Sequence, residues 1–217
     1  MDALVNINGD RVPTLELLLM LTVIALLPCI LVMMTSFTRI VIILSFVRNA
    51  LGVQQVPPSM VMVGISLFLT LFIMDPVISE INTTAFEPYR EEQITQEEAL
   101  ERAQVPLKEF MLRQTEISSV DMYMDLAGTE AVEELTDLPL TVVVPAFMTS
   151  ELKRAFMAGF LLFLPFLLID IIVSTTLMSM GMFMLPPATI SLPFKLLLFV
   201  TVDGWQLLFS TLVQSFR

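Results

Sequence analysis

Histidine is absent from the 217 residues, and cysteine occurs once, at Cys29. Without histidine the chain lacks both the commonest metal ligand and the commonest general base. Zinc hydrolase, Ser-His-Asp and Cys-His chemistries are excluded together. One thiol makes no internal disulfide and no CxxC site, and Cys29 is read as a small buried apolar residue. There is no P-loop GxxxxGK[ST] to power work on a substrate. No catalytic residue, metal or cofactor is expected, and the chain is not read as an enzyme.

Charge is scarce too. Only 15% of residues are charged and 56% are apolar, against about 25% and about 45–50% in an ordinary soluble domain. The expectation is a membrane-associated or deeply assembled protein. The net charge is −11, and it is unevenly placed. Between Glu80 and Asp137 there are 15 acids and 4 bases, while the rest of the chain holds seven of each. The chain is a neutral, apolar frame around one acidic insert. That balance argues against a nucleic-acid partner. It also argues against a lipid-surface role for the insert, which is read as solvated.

The organisation follows: residues 1–79 a first hydrophobic helical half, 80–140 the acidic helical insert, 141–217 a second hydrophobic half. Residues 1–14 are polar, with a turn signal at Gly9-Asp10. They lack the basic opening of a signal peptide, so either a leader has been removed or the first apolar run does the targeting. That run, Leu15–Val47, is 33 residues, about 50 Å as one helix and too long for one span of a ~30 Å bilayer core. It is divided into a helix over 15–34, a turn at Thr35-Ser36 and a helix over 37–50. A third helix is expected from near Pro58. Its apolar run Met60–Met74 ends at Asp75-Pro76, short of the ~20 residues a span needs.

In the insert, Leu100, Ala103, Leu107, Phe110, Met111 and Gln114 recur at three- and four-residue steps, an amphipathic helix pattern. Pro106 is expected to split it into two pieces. Further helical pieces are expected over Val120–Ala127 and Thr129–Leu135. In the second half Pro145 precedes a helix, with Ser150-Glu151 near its start. Ala155–Met178 carries Pro165 and Asp170, and Leu192–Phe216 carries Lys195, Asp203 and Trp205. Prolines and lone charges interrupt all four apolar blocks. The fold class is therefore all-α: broken, kinked hydrophobic helices in hairpins, packed mainly on other protein and not as clean lipid-facing spans.

The runs Met34–Pro58, Pro145–Lys153, Phe163–Asp170, Met178–Pro187, Ile190–Val200 and Asp203–Trp205 together closely resemble the FliP/SctR family, and its flagellar branch more than its virulence-secretion branch. The resemblance implies a core subunit of the type III protein export gate at the flagellar basal body. It implies a multi-pass protein of the bacterial inner membrane whose nominal spans sit largely above the bilayer, in contact with membrane lipid. It implies FliQ-like and FliR-like partners, a pentameric self-association, FlhA and FlhB alongside, and unfolded export substrates passing through. The homologous virulence gate and a small-solute or ion channel are the alternatives, with a proton-coupled carrier using Asp170 a third. A selective pore is expected to present rings of ordered donors or carboxylates, and the narrow candidate here is a methionine cluster.

The candidate sites follow from charge and packing. Asp170 and Lys195 are lone opposite charges inside apolar blocks, where an isolated charge costs about 2.5–3.5 kcal/mol. They are read as an ion pair, within one chain or between subunits; the alternative is separate, hydrated, pore-facing groups. The resemblance implies that an Asp and a Lys at these positions are needed for export. Met178, Met180, Met182 and Met184 alternate at period two, which in extended chain would point all four to one side. Gly181 and Pro186-Pro187 argue for a loop. Methionine is soft and repacks, so several copies around an axis would make a compliant seal with Met182, Phe183 and Met184 at its centre. Ordinary core packing is the alternative, and the family's methionine loop favours the gate.

Arg39 and Arg48 are read as orientation-setting charges or as contacts with neighbouring subunits or lipid headgroups. Phe110 and Tyr123 are aromatics in a polar insert, fit either for an interface or for the insert's own core. The resemblance implies that aromatics in this region serve self-association, and that Glu151 aligns with an acid implicated there. Asp203-Gly204-Trp205 is read as a helix bend.

Overall fold

The structure, a computed structural model, describes residues 4–7, 10–53, 55–129, 132 and 134–216. It is helical apart from a short antiparallel ladder, β1 (Leu4–Ile7) and β2 (Asp10–Pro13), which pairs Leu4 with Pro13 and Ile7 with Asp10. The turn expected at Gly9-Asp10 rests on Gly9, which lies outside the described residues. The helices α1 (Thr14–Met33) and α2 (Phe37–Leu51) fall within a residue of their expected bounds. Cys29, however, is exposed, which corrects the expectation of burial. Helix α1 covers little of the core, and its Leu18, Met20, Leu21, Ile24 and Ile30 are exposed with it.

Helix α3 (Ser59–Ile81) does not stop at Asp75-Pro76. It runs on through a π turn at Asn82–Phe86 into α4 (Glu87–Arg90). A proline removes one ladder bond, and a long helix survives that when packing holds it; Met74 and Val77 on either side of Pro76 are buried. Two more prolines give the same correction. Helix α5 (Gln96–Gln114) is continuous through a buried Pro106 and is not two pieces. Helix α7 (Leu140–Ser179) contains both Pro145 and Pro165, so Glu151 lies well inside it and not near its start. Helix α6 (Ile117–Ala127) forms as expected. The piece expected over Thr129–Leu135 includes residues outside the described ones; after it Leu135–Asp137 make one 3-10 turn.

Helix α7 has 40 residues, about 60 Å at 1.5 Å per residue, and it organises the rest. Helix α2 lies along it, burying Ile40, Ile43, Leu44, Val47 and Leu51 at helical spacing against Val143, Phe147 and Ala155 of the core. Helices α5 and α6 pack on its N-terminal part, and α8 (Pro187–Thr201) packs back on it. The α2–α7 contact depends on Gly159: a Cβ there would come within 2.5 Å of the Phe46 ring. Helix α9 (Gly204–Gln214) leaves α8 at 61°. The bend pivots on Asp203, whose φ of 51° lies in the left-handed region that Asp tolerates through its short polar side chain.

By length and composition, Ser59–Arg90 and Leu140–Ser179 suit a membrane crossing, and the bent α8–α9 pair adds a third if counted as one span. For the third helix this corrects the expectation that its apolar run falls short of a span. The packing expected for these helices is on other protein, and this chain by itself leaves one face of α7 uncovered. Phe160, Leu161, Leu164, Leu168, Ile171 and Ile172 on α7 are all exposed.

Candidate functional sites: two buried charge junctions and an apolar tip

The first junction ties α7 to α8. Lys195 is 5% exposed, and its ammonium lies 2.6 Å from Asp170 Oδ2. The Ser191 hydroxyl donates to the other Asp170 oxygen at 2.6 Å. Ser191 and Lys195 are four apart on α8 and share a face. The ammonium also donates to the Ala50 carbonyl at 3.0 Å. Ala50 stands in the last turn of α2, where carbonyls lack intrahelical partners and a cation complements the helix dipole. One lysine thus closes the α7–α8 hairpin and caps α2. Ser191 and the Ala50 carbonyl are absent from the sequence reading; the four-residue spacing was the available signal for Ser191.

The second junction is one the sequence does not pair. Arg39 (α2) and Glu151 (α7) are 3% and 0% exposed and meet as a two-armed fork. Arg39 Nε donates to Glu151 Oε2 at 2.9 Å, and Nη2 donates to Oε1. Nη2 also donates to Gln114 Oε1 of α5 at 3.2 Å. Nη1 donates to the Ser215 carbonyl and hydroxyl at 3.3 and 3.2 Å. The Phe216 ring covers the guanidinium face, 3.9 Å from ring centroid to Cζ, a cation–π contact. Arg154 donates to the same Gln114 oxygen, and Gln114 donates to the Phe216 carbonyl.

The expected interface residues turn inward around this junction. Arg39 and Glu151 face each other and not a free surface. Phe110 is 4% exposed, with its ring between Phe147 and Phe216, at 6.1 and 6.3 Å from their centroids. The Tyr123 hydroxyl lies 3.1 Å from that of Thr149 on α7. Arg48 is apart from both junctions: it donates to the Ser59 hydroxyl at 3.1 Å. Among the described residues no carboxylate is within ion-pair reach of it.

The methionines form the apolar tip of the α7–α8 hairpin. They do not alternate along extended chain. Met178 belongs to the last turn of α7, and Met180 to Met184 form turns. The helix ends there because Gly181 takes a φ of +72°. Its N–H bonds the Met178 carbonyl and that of Met182 bonds Leu177, at 3.0 Å each, the Schellman pattern that glycine permits. Beyond it Phe183 is 79% and Met184 98% exposed. Met178, Met180 and Met182 are exposed as well. Among the described residues no three acidic or thiol side chains converge as a metal site would need.

Long apolar helices, two charge junctions buried between them and an apolar hairpin tip define a membrane-type helical protein. Residues 20–212 match the FliP family model. Along its whole length the chain is 51% identical, over 221 residues, to the flagellar biosynthetic protein FliP of Bacillus subtilis (strain 168), all of which is covered. It is 51% identical to that of Pectobacterium carotovorum subsp. carotovorum over 96% of this chain and 82% of the relative. It is 46% identical to that of Aquifex aeolicus (strain VF5), over 97% and 89%. The chain belongs to the FliP family, and these relatives are flagellar biosynthetic proteins.

Proposed function

We propose that the chain is a pore-forming core subunit of the flagellar protein export gate, conducting unfolded flagellar subunits across the bacterial inner membrane. Several copies, with FliQ-like and FliR-like partners and FlhA and FlhB alongside, bring their α7–α8 hairpins around one axis. There the methionine tips close the passage. The observation that carries this reading is the tip itself. Phe183 and Met184 are almost bare at 79% and 98%, in a chain of the FliP family. An apolar cluster left uncovered by its own chain marks a contact with something else. Methionine suits a seal that must yield to a passing polypeptide, because it repacks without a fixed shape.

The Asp170–Lys195 junction sits in the same hairpin and sets its geometry. Asp170 and Lys195 support export by holding α7, α8 and the end of α2 as one unit.

The test is proximity between copies. Cys29 is exposed and is first replaced by serine. Met184→Cys is then oxidised in membranes containing the FliQ-like and FliR-like partners. Covalent dimers of this chain are expected from Met184→Cys and none from a cysteine at exposed Leu126. Equal yields at both positions would contradict a shared axis.

A further inference from the structure

Glu151 is the acid that resemblance ties to self-association, and Phe110 and Tyr123 are the candidate aromatics near it; Glu151 and Phe110 are buried inside a single chain and Tyr123 is half-buried. Of three consecutive residues of α7, two hold the insert and the third takes Arg39 of α2. Thr149 meets the Tyr123 hydroxyl at 3.1 Å. The Ser150 hydroxyl accepts the Glu116 N–H, at the α5–α6 joint, at 3.0 Å. Glu151 takes Arg39.

We infer that Arg39 and Glu151 form an internal bolt that seats the acidic insert and the Ser215-Phe216 segment on the α2–α7 core. Self-association depends on Glu151 through this seat and not through contact with a second copy. The self-association rests on the proposed function; the seat does not.

Donor counting carries the inference. A guanidinium has five N–H groups in a fixed fork. Those of Arg39 have five acceptors within this chain: both Glu151 oxygens, Gln114 Oε1, and the carbonyl and hydroxyl of Ser215. Phe216 covers the guanidinium face. Glu151 is 0% exposed, and each of its oxygens receives an Arg39 N–H. Arg39 has no donor left to offer a neighbour, and Glu151 has no exposed surface to offer one. The acceptors come from α5, α7 and the segment after α9, so Arg39 is where the first half, the insert, the second half and residues 215–216 meet. The insert then presents its outer surface in a fixed place, and assembly reads that surface.

The experiment compares Glu151→Met, Arg39→Met and the double variant in the full chain, co-expressed with its FliQ-like and FliR-like partners. The readouts are the size of the purified complex and hydrogen exchange over residues 110–116 and 215–216. Removing one member strands a buried charge, whereas replacing both with apolar groups of similar volume is often tolerated. In the double variant Gln114 keeps Arg154 and the Phe216 carbonyl, and the Ser215 hydroxyl keeps Leu212.

Each single variant is expected to lose the assembled complex and to exchange fast in both segments. The double variant is expected to recover both. A Glu151→Met chain that keeps slow exchange yet fails to assemble would overturn the inference. So would a double variant that regains slow exchange and still fails. Should the singles not accumulate, Phe216→Ala leaves the ion pair in place. It is expected to speed exchange over 110–114 and to weaken assembly; normal assembly beside fast exchange would overturn the seat. A wild-type chain found as one copy in the complex would instead refute self-association itself, and it is visible before any variant is made.

Discussion

Lys195 stands 2.6 Å from Asp170 and 3.0 Å from the carbonyl oxygen of Ala50, which lies 145 residues earlier in the chain. The pair is unequal: the Lys195 side chain is 6% exposed and that of Asp170 is 32%. Deleting Asp170 strands a buried ammonium on one carbonyl. Deleting Lys195 leaves a partly hydrated carboxylate that still holds Ser191.

Asp170→Ala is therefore expected to destabilise more than Lys195→Ala. The first breaks a buried pair from its exposed side, about 3–5 kcal/mol. The second costs closer to the loss of one charged hydrogen bond, about 1.5–3 kcal/mol. Thermal unfolding of the purified chain in detergent checks the order. A Lys195→Ala protein that melts below Asp170→Ala would contradict it.

Gly159 is expected to tolerate no side chain. Its Cβ would press on Phe46 Cγ and Cδ2 at 2.5 Å. That ring is itself set edge-on against Phe156, 5.4 Å between centroids. Gly159→Ala should cost about 1–3 kcal/mol by overpacking. Adding Phe46→Leu should return most of it, because the ring is what the methyl group meets. Melting curves of the two single variants and the double form the cycle, and additive losses would contradict the contact.

The N-terminus of α5 is expected to loosen in acid. The Thr95 backbone N–H, 2.9 Å from Glu98 Oε2, and then the Thr95 hydroxyl hold the Glu98 carboxyl below its usual range. A lowered folded value contributes stability above the ordinary carboxylate pKa of about 4.3, and that contribution is lost as pH falls through the folded value. Hydrogen exchange at residues 96–99, corrected for intrinsic rates, should therefore accelerate below about pH 4. Glu98→Gln, which removes the titrating carboxyl, should flatten that dependence. An unchanged profile in Glu98→Gln would contradict the capping box as its source.

The helices at 14–33 and 37–51 were legible because Thr35-Ser36 breaks a run too long for one span, and apolar spacing marks the buried face of α2. The prolines misled: Pro76, Pro106, Pro145 and Pro165 all lie within helices. Local chemistry predicts a break wherever an N–H is missing, and only tertiary packing can outweigh it. Asp170 and Lys195 were legible through the cost of an isolated charge in an apolar block. The same cost applies to Arg39 and Glu151. That pair is hidden in the sequence because Pro145 points to a helix start just before Glu151, and Arg39 fits an orientation role. Gln114, a polar residue within an apolar stripe, was the available sign that something polar lay opposite. The ends of α7 and the turns of the tip depend on Gly181, which the sequence marks as a loop without specifying the cap.

The most direct test is ion conductance across the inner membrane of cells producing this chain with its FliQ-like and FliR-like partners, with and without Met182–Met184. A tight wild-type membrane and a leaky deletion, in a complex that still assembles, are expected. Equal, low conductance in both would contradict the methionine seal, and a selective ion current from the wild-type chain without partners would contradict the export gate.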